Sequence, residues 1–200
     1  MMPQRPVVHA LILGIFCLVF GVILATTDLF THDTIKLRAV EDLQNSLTLV
    51  IPASIHDNNP VSDAVVIKDG GRDVTVYRAM KGGTVTGAAY AIEGSGYGGP
   101  ITLMLGVDPE GKILGVRATA FHETPGLGDR IDAAKSDWIT RFTGLWLGHP
   151  PADKWKVKKD GGVFDQFAGA TITPRGVVAA VKNGLEFFAR HKADILEGRR

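Results

Sequence analysis

The feature that most constrains this chain is an apolar run near its amino terminus. The run extends from Val7 to Ala25 and reads VVHALILGIFCLVFGVILA, with His9 as its polar interruption. A helix of roughly 20 such residues crosses the ~30 Å hydrocarbon core of a bilayer. A cleaved signal peptide is the alternative, with an apolar region of about 7–15 residues and a small-residue cleavage site. Because the run is longer and Leu24-Ala25-Thr26 matches such a site poorly, we predict an uncleaved transmembrane anchor over residues 7–25.

Charged residues on either side of the run predict which end of the helix faces the cytoplasm. Arg5 and the amino terminus precede the run, whereas Asp28 and Asp33 are the first charged residues after it. Lysine and arginine close to a membrane helix tend to remain on the cytoplasmic side. We therefore expect a cytoplasmic tail at residues 1–6 and an extracytoplasmic location for residues 26–200.

Composition excludes several classes of function. The formal net charge is +1, and the only close group of lysines is Lys156, Lys158 and Lys159, so no nucleic-acid-binding surface is indicated. Cys17 is the only cysteine and lies within the apolar run. The chain therefore has no internal disulfide and no set of cysteines for an iron–sulfur cluster or a structural zinc site. Redox chemistry in this chain would need an organic cofactor.

A helix and a series of strands are predicted after the anchor. Within residues 34–50, apolar residues recur at steps of three and four, a helical stripe that Pro52 ends. A turn-rich connector at 56–60 leads to five strand-like runs separated by glycine turns, which predict a meandering antiparallel sheet. The predicted strands are residues 64–69, 72–80, 84–93, 101–108 and 112–120.

The pattern changes to loops and helices after residue 120. Residues 131–142 are predicted to be helical, and 155–159 are a brief strand candidate. The last helix is expected from Pro174 to about Arg190, with Thr173 as its N-cap. Its predicted buried stripe is Val177, Val181, Leu185 and Phe188.

This order of elements predicts the fold class and the domains. Consecutive strands followed by helices favour an α+β fold, an antiparallel sheet with flanking helices, over a parallel wound sheet. We expect a membrane-proximal helix and connector at residues 26–60 and a single domain at 61–200.

Two loop segments differ from ordinary turn sequence. Residues 94–100 put four glycines around Tyr97, which suits either a flexible hairpin or a backbone that lies close to a flat ligand. Residues 121–128 read FHETPGLG, where His122 and Glu123 suggest a metal pair or an acid/base pair. Adjacent strand residues point to opposite faces and the other histidines lack ligand spacing, so no metal site is predicted. A glycine-lined loop that offers backbone groups to a ligand is the preferred interpretation.

The third segment, DQFAGATITPR at residues 165–175, puts small residues ahead of a helix. Helix N-termini attract phosphate through their free N–H groups and the macrodipole. Gly169 and Ala170 would let a phosphate approach Thr171. Local chemistry leaves a simple capped helix and a phosphate site equally open.

Together these segments resemble the FMN-binding domain shared by the G subunit of the Rnf electron-transport complex and the C subunit of the sodium-pumping NADH:quinone reductase. The similarity extends from Gly94 to Val181, behind an anchor in the matching position. The segments that carry it are GYGGPI (96–101), HETPGLGD (122–129) and DGGVFDQFAGATIT (160–173), and they look closer to the Rnf protein.

The resemblance implies a function and a set of partners. The expected protein is an electron-carrier subunit of an ion-translocating ferredoxin:NAD oxidoreductase in a bacterial inner membrane, and not a stand-alone enzyme. Its expected partners are the other subunits, membrane lipid and a Mg²⁺-dependent flavin transferase that uses FAD and releases AMP. The chain lacks the glycine-rich nicotinamide motif between a strand and a helix, so NADH oxidation is assigned to another subunit.

The resemblance also implies roles for particular residues. In that family the attachment motif is Asp-x-x-Ser/Thr-Gly-Ala-Thr, and its last threonine, here Thr171, is joined to the FMN phosphate by a phosphoester. Ala168 stands where the motif has a hydroxyl residue. The ETPGLG loop should lie along the isoalloxazine ring. The implied cofactor contacts are Asp165, Gly169, Ala170, Thr173, Glu123, Thr124, Gly126, Leu127, Tyr97 and Lys158.

Two other functions are alternatives to this one. A non-redox binding or assembly subunit of the same type of complex would have a degenerate flavin site, with Ala168 marking the loss. A threonine-nucleophile hydrolase fits poorly, because the order of residues suggests no Ser/Thr–His–Asp arrangement.

Overall fold

The computed structural model describes residues 4–197, and the side chains of residues 6–197. The predicted tail therefore lies outside the described residues at positions 1–3. Two α-helices flank five strands in the chain: α1 (Gln4–Val50), β1 (Ala64–Asp69), β2 (Arg72–Lys81), β3 (Thr84–Ser95), β4 (Pro100–Val107), β5 (Ile113–Ala120) and α2 (Ile172–Glu197). Short 3₁₀ turns occupy Ala53–Ile55, Gly128–Ile131, Trp138–Phe142, Ala152–Lys154 and Lys158–Asp160.

The chain divides into two compact units, and the first contains α1 as far as Leu43. This is the one helix among the described residues that is long and apolar enough to cross a membrane. Its large apolar side chains between Val7 and Leu24 are exposed, as expected of a helix surrounded by lipid. The predicted helix at 34–50 is not separate from the anchor, because α1 continues to Val50 without a break.

The reason for this continuity lies in the segment that follows the apolar run. No glycine or proline interrupts residues 26–33. Thr27 and Thr31 each donate a hydroxyl hydrogen bond of 2.8 Å to the carbonyl four residues earlier. These bonds satisfy the threonine hydroxyls within the helix, so nothing in the segment favours a turn.

The second unit begins at Gln44, so it includes the last turns of α1. Leu47, Val50 and Ile51 are buried in it. A Cβ placed at Gly106 of β4 would overlap the Val50 carbonyl, and one at Gly115 of β5 would lie 3.0 Å from the Val50 Cα. These two glycines therefore let the end of the helix lie directly against the sheet.

The sheet is an antiparallel meander with the strand order β1-β2-β3-β4-β5. The first two hairpins turn through Gly70-Gly71 and Gly82-Gly83, whose φ angles are all positive, between 57° and 87°. Two successive residues in this region make a type I′ turn, the two-residue connection whose twist matches that of the strands. All five predicted strands are present within two residues of their expected limits, and the α+β fold class is confirmed.

Helix α2 covers one face of the sheet, and its backbone lies very close to the strands. The predicted stripe of Val177, Val181, Leu185 and Phe188 is buried. The Tyr90 hydroxyl of β3 donates a buried hydrogen bond of 2.9 Å to the Gly184 carbonyl. A Cβ at Gly176 would overlap the Ser95 carbonyl, so glycine at that position is what lets α2 contact β3.

Three local predictions were wrong. Residues 131–142 are not an α-helix: Ile131 ends one 3₁₀ turn, Trp138–Phe142 form another, and residues 132–137 between them are not helical. The Asp132 side chain accepts a hydrogen bond of 2.9 Å from the Ala134 N–H and turns the chain there. Residues 155–159 form only a single bridge, between Val157 and Phe164, followed by a 3₁₀ turn. Helix α2 begins at Ile172, so Thr173 lies inside its first turn and is not the N-cap.

Gly176→Ala tests the short distance between α2 and β3. In a helix interior alanine is normally more stable than glycine by about 1 kcal/mol. Here the added methyl group meets backbone, so we expect the free energy of unfolding to fall by about 1–3 kcal/mol. Urea unfolding of the detergent-solubilised full chain, followed by tryptophan fluorescence, measures the change. Asn183→Ala, at an exposed position of the same helix, is the control and should be neutral or slightly stabilising; a stabilising Gly176→Ala would contradict the packing described.

Candidate functional site

The three segments singled out in the sequence meet at one cavity of about 270 Å³. Its walls are apolar side chains, small residues and exposed backbone, with a carboxylate and two threonines among them. The residues that line it are Tyr97, Glu123, Thr124, Leu127, Gly128, Gly169, Ala170, Thr171 and Ile172.

The sheet topology brings these segments together. β3 and β5 both run antiparallel to β4. The last residues of β3 and β5 therefore lie beside the first residues of β4, at one end of the strands. The glycine-rich loop at 96–99 and the FHETPGLG segment both leave the sheet there. Helix α2 reaches the same edge, because Gly176 lies against Ser95 at the end of β3.

Thr171 is the half-buried residue that immediately precedes α2. Its carbonyl accepts the Arg175 N–H at 3.3 Å, so it occupies the N-cap position that the sequence assigned to Thr173. Its hydroxyl makes no hydrogen bond to any residue the structure describes. Gly169, with a φ of 78°, turns the chain so that Ala170 and Thr171 both reach the cavity. Thr171 directly precedes the first turn of α2, where the N–H groups of Ile172 and Thr173 have no carbonyl partner within the helix and Pro174 has no N–H.

Glu123 connects the other walls. One of its oxygens accepts the Gly98 N–H at 3.1 Å, and the other accepts the Thr173 hydroxyl at 2.5 Å. Thr173 is fully buried. The side chain predicted to cap α2 therefore joins the helix to the loop after β5.

Four of the sequence-predicted contact residues do not line the cavity: Asp165, Lys158, Gly126 and Thr173. Asp165 forms ion pairs with Lys158 at 2.6 Å and Arg141 at 3.2 Å. The hydrogen bond from Lys158, with the charges of both cations, holds the pKa of the Asp165 carboxyl below its usual range. The Trp138 indole N–H also donates to the Asp165 carbonyl at 2.8 Å. These bonds fix the start of the segment that leads to Thr171.

Two lining residues, Gly128 and Ile172, were not predicted. Ile172 is 46% exposed and stands beside Tyr97 (71%) and Leu127 (41%) as an exposed apolar surface at the cavity. The sequence did contain a signal for Ile172. This apolar residue lies five positions before Val177, out of step with the buried stripe, so it is expected on another face of the helix. Gly128 packs against the Glu123 side chain. No sequence pattern specifies this contact, so Gly128 could not be predicted.

The arrangement suits a ligand with one flat apolar part and one anionic part. Exposed Tyr97, Leu127 and Ile172 offer apolar surface, and the N-terminus of a 26-residue helix offers N–H groups and a positive dipole end. Among the residues described, no group of three histidine, cysteine, aspartate or glutamate side chains could hold a metal ion.

Two family models match this chain. The FMN-binding domain matches residues 96–186, which contain the whole cavity, and the RnfG N-terminal region matches residues 2–50. Two solved structures share the fold. The C subunit of the Na⁺-translocating NADH-quinone reductase from Parabacteroides distasonis is 20% identical with a TM-score of 0.53, covering 76% of this chain and 92% of that one. NqrC from Shewanella oneidensis is 23% identical with a TM-score of 0.51, covering 75% and 73%.

Curated relatives match over almost the whole chain, and each is named as the G subunit of the ion-translocating oxidoreductase complex. The protein from Cereibacter sphaeroides is 47% identical over 194 residues, or 96% of this chain and 89% of the relative. Those from Stutzerimonas stutzeri and Vibrio vulnificus are 45% and 42% identical, each over 94% of this chain and over 82% and 92% of their own length. The chain therefore belongs to the family of G subunits of the ion-translocating oxidoreductase complex, the Rnf complex, and contains its FMN-binding domain.

Proposed function

We propose that this protein carries one FMN joined by a phosphoester to the Thr171 hydroxyl, and that it passes electrons within the Rnf complex. The observation that supports this most directly is the position of that hydroxyl. Thr171 lines the cavity and precedes the first turn of α2, and its hydroxyl has no hydrogen-bond partner among the described residues.

The phosphate end of FMN fits this position for electrostatic reasons. A phosphate on Thr171 would accept hydrogen bonds from the free N–H groups of the first turn, and the helix dipole would stabilise its negative charge. Gly169 and Ala170 carry little side-chain bulk on this side of the cavity. Small residues and a hydroxyl directly before a helix N-terminus therefore suit a phosphate at this position.

The ring end fits the apolar part of the cavity. Tyr97, Leu127 and Ile172 would cover the isoalloxazine ring and exclude water from it, while backbone groups of Thr124 and Leu127 would hydrogen-bond to its polar edge. Bound flavin would supply the electron transfer, and the protein would position it and set its potential. Covalent attachment would keep the cofactor in place on the side of the membrane where free FMN is scarce.

Attachment would require a separate enzyme. In the proposed reaction the Thr171 oxygen forms a bond to the flavin-side phosphorus of FAD, the bond to the AMP oxygen breaks, and AMP leaves. The threonine proton must go to a base, because an alcohol is a weak nucleophile. No described side chain accepts a hydrogen bond from Thr171, and Asp165 is already paired with Lys158 and Arg141. A Mg²⁺-dependent flavin transferase is therefore the expected source of that base.

Ala168 is the position on which the non-redox alternative depends. It is exposed and does not line the cavity, so the missing hydroxyl removes no wall of the proposed flavin site. This favours the electron carrier over an assembly subunit with a degenerate site.

Thr171→Ala tests the attachment. Because the variant has no oxygen with which to form the phosphoester, we expect the denatured protein to lose all flavin fluorescence, whereas the wild type coexpressed with a flavin transferase keeps it. In-gel fluorescence and intact mass measure the outcome. Thr143→Ala, an exposed threonine on another loop, is the matched control and should remain fully flavinylated. A wild-type band without bound flavin, or a fluorescent Thr171→Ala band, would contradict the proposal.

A cysteine-labelling experiment tests the proposed extracytoplasmic location of the FMN-binding domain. In a Cys17→Ser background, a cysteine at exposed Lys192 should react with a membrane-impermeant maleimide in intact spheroplasts. A cysteine at Gln4 should react only after lysis, because the amino terminus is proposed to be cytoplasmic. The reverse pattern would show the opposite orientation.

A further inference from the structure

We propose that Glu123 is the positioning residue of the flavin site, with two linked effects. Its carboxylate fastens the glycine-rich loop to helix α2, and its negative charge, which has no cationic side-chain partner among the described residues, lowers the reduction potential of the bound flavin. The second effect rests on the proposed function, whereas the first concerns the protein alone.

The fastening consists of two hydrogen bonds to segments far apart in the sequence. Gly98 belongs to the loop between β3 and β4, next to Tyr97, and Thr173 belongs to the first turn of α2, two residues after Thr171. Glu123 accepts the Gly98 N–H on one oxygen and the Thr173 hydroxyl on the other. One side chain therefore fixes the distance between the proposed ring-covering tyrosine and the proposed attachment residue.

Three glycines make room for this residue. A Cβ at Gly96 or at Gly128 would overlap a carboxylate oxygen of Glu123. A Cβ at Gly98 would overlap the carbonyl of the preceding residue, His122. Gly96, Gly98 and Gly128 are thus explained by their packing around residues 122 and 123, whereas Gly99 and Gly126 meet no neighbouring atom and instead adopt positive φ angles.

The charge of Glu123 has no cationic partner among the described residues. Both of its hydrogen bonds come from neutral donors, an amide N–H and a hydroxyl. Asp165, in contrast, is paired with Lys158 and Arg141 and does not line the cavity. Glu123 is therefore the carboxylate whose field acts on the cavity, and a fixed negative charge disfavours the electron that reduction adds.

Charge and geometry can be separated by choosing the right variants. Glu123→Gln keeps the size of the side chain and an oxygen for the Gly98 N–H, and its amide can donate to the Thr173 hydroxyl. Thr173→Val keeps the shape at 173 and removes the hydroxyl, and Thr173→Ser keeps the hydroxyl. Glu110→Gln, in the exposed β4–β5 turn at the opposite edge of the sheet, controls for the loss of one negative charge.

The first measurement is the flavin midpoint potential, by spectroelectrochemical titration of the full-length holoprotein. We expect Glu123→Gln to shift the potential in the positive direction and Glu110→Gln to leave it unchanged. A purely structural role for Glu123 would not produce this difference. Equal potentials for Glu123→Gln and wild type would overturn the electrostatic effect.

The second measurement needs no flavin. Hydrogen exchange of the Gly98 amide is followed in the full chain made without a flavin transferase. Thr173→Val removes one of the two hydrogen bonds that hold the Glu123 carboxylate, whose other oxygen accepts the Gly98 N–H. Loss of a hydrogen bond to a charged group changes a local opening equilibrium by about a factor of ten or more. We therefore expect exchange in Thr173→Val to be about tenfold faster than in wild type, with Thr173→Ser near the wild-type rate. Unchanged exchange in Thr173→Val would overturn the fastening.

The two measurements also separate this inference from the proposed function. If the wild type takes up no flavin in any form, the electron-carrier proposal and the electrostatic effect both fail, while the exchange rates still decide whether Glu123 fastens the loop to the helix. If flavin is bound and the exchange rates do not respond, the fastening fails alone.

Discussion

The short distance between α2 and β3 is the constraint on which the site depends. Glycine at 176 lets the helix contact Ser95 at the end of β3, and glycine at 184 lets it approach Ile92 and Leu105 further along the sheet. A helix packed on a sheet with larger side chains between them would lie farther away. Its N-terminus would then not reach the edge where the loops after β3 and β5 meet, and no cavity of this kind would form between those loops and Thr171.

This geometry puts charges of opposite sign at one cavity. The N-terminus of α2 contributes a positive dipole end beside Thr171, and Glu123 contributes a negative charge that is held by neutral donors. The helix dipole favours an anionic group beside Thr171. The Glu123 charge disfavours added negative charge on whatever occupies the rest of the cavity. Asp165 and Lys158 form an ion pair outside the lining, and this pair holds the segment before Gly169.

Much of the fold could be predicted from the sequence because it is specified locally. Paired glycines at 70–71 and 82–83 adopt positive φ without steric cost, and they form the two-residue turns of the first two hairpins. The segments of the site could be found in the same way, from their unusual glycine and small-residue content. The contacts of Thr173 could not be predicted in this way. Its hydroxyl could either cap the helix or donate to Glu123, and only the packing of residue 123 against the helix decides between the two. The prediction of a helix at 131–142 was wrong for a similar reason. The apolar spacing there suited a helix, but the Asp132 side chain bonds locally to the backbone, and Trp138 and Phe142 pack into an aromatic cluster.

The structure also gives a reason why one threonine near the cavity, and not another, would receive the flavin. Thr173 is fully buried and its hydroxyl is bonded to Glu123, so a transferase could reach it only by breaking the fastening between loop and helix. Thr124 is exposed, but it follows β5 and has no helix N-terminus to stabilise a phosphate. Thr171 alone among the three combines a hydroxyl without a described partner, partial exposure and the free N–H groups of α2. The selectivity of the proposed modification would thus follow from hydrogen bonding and burial already present in the protein, before any recognition by the transferase.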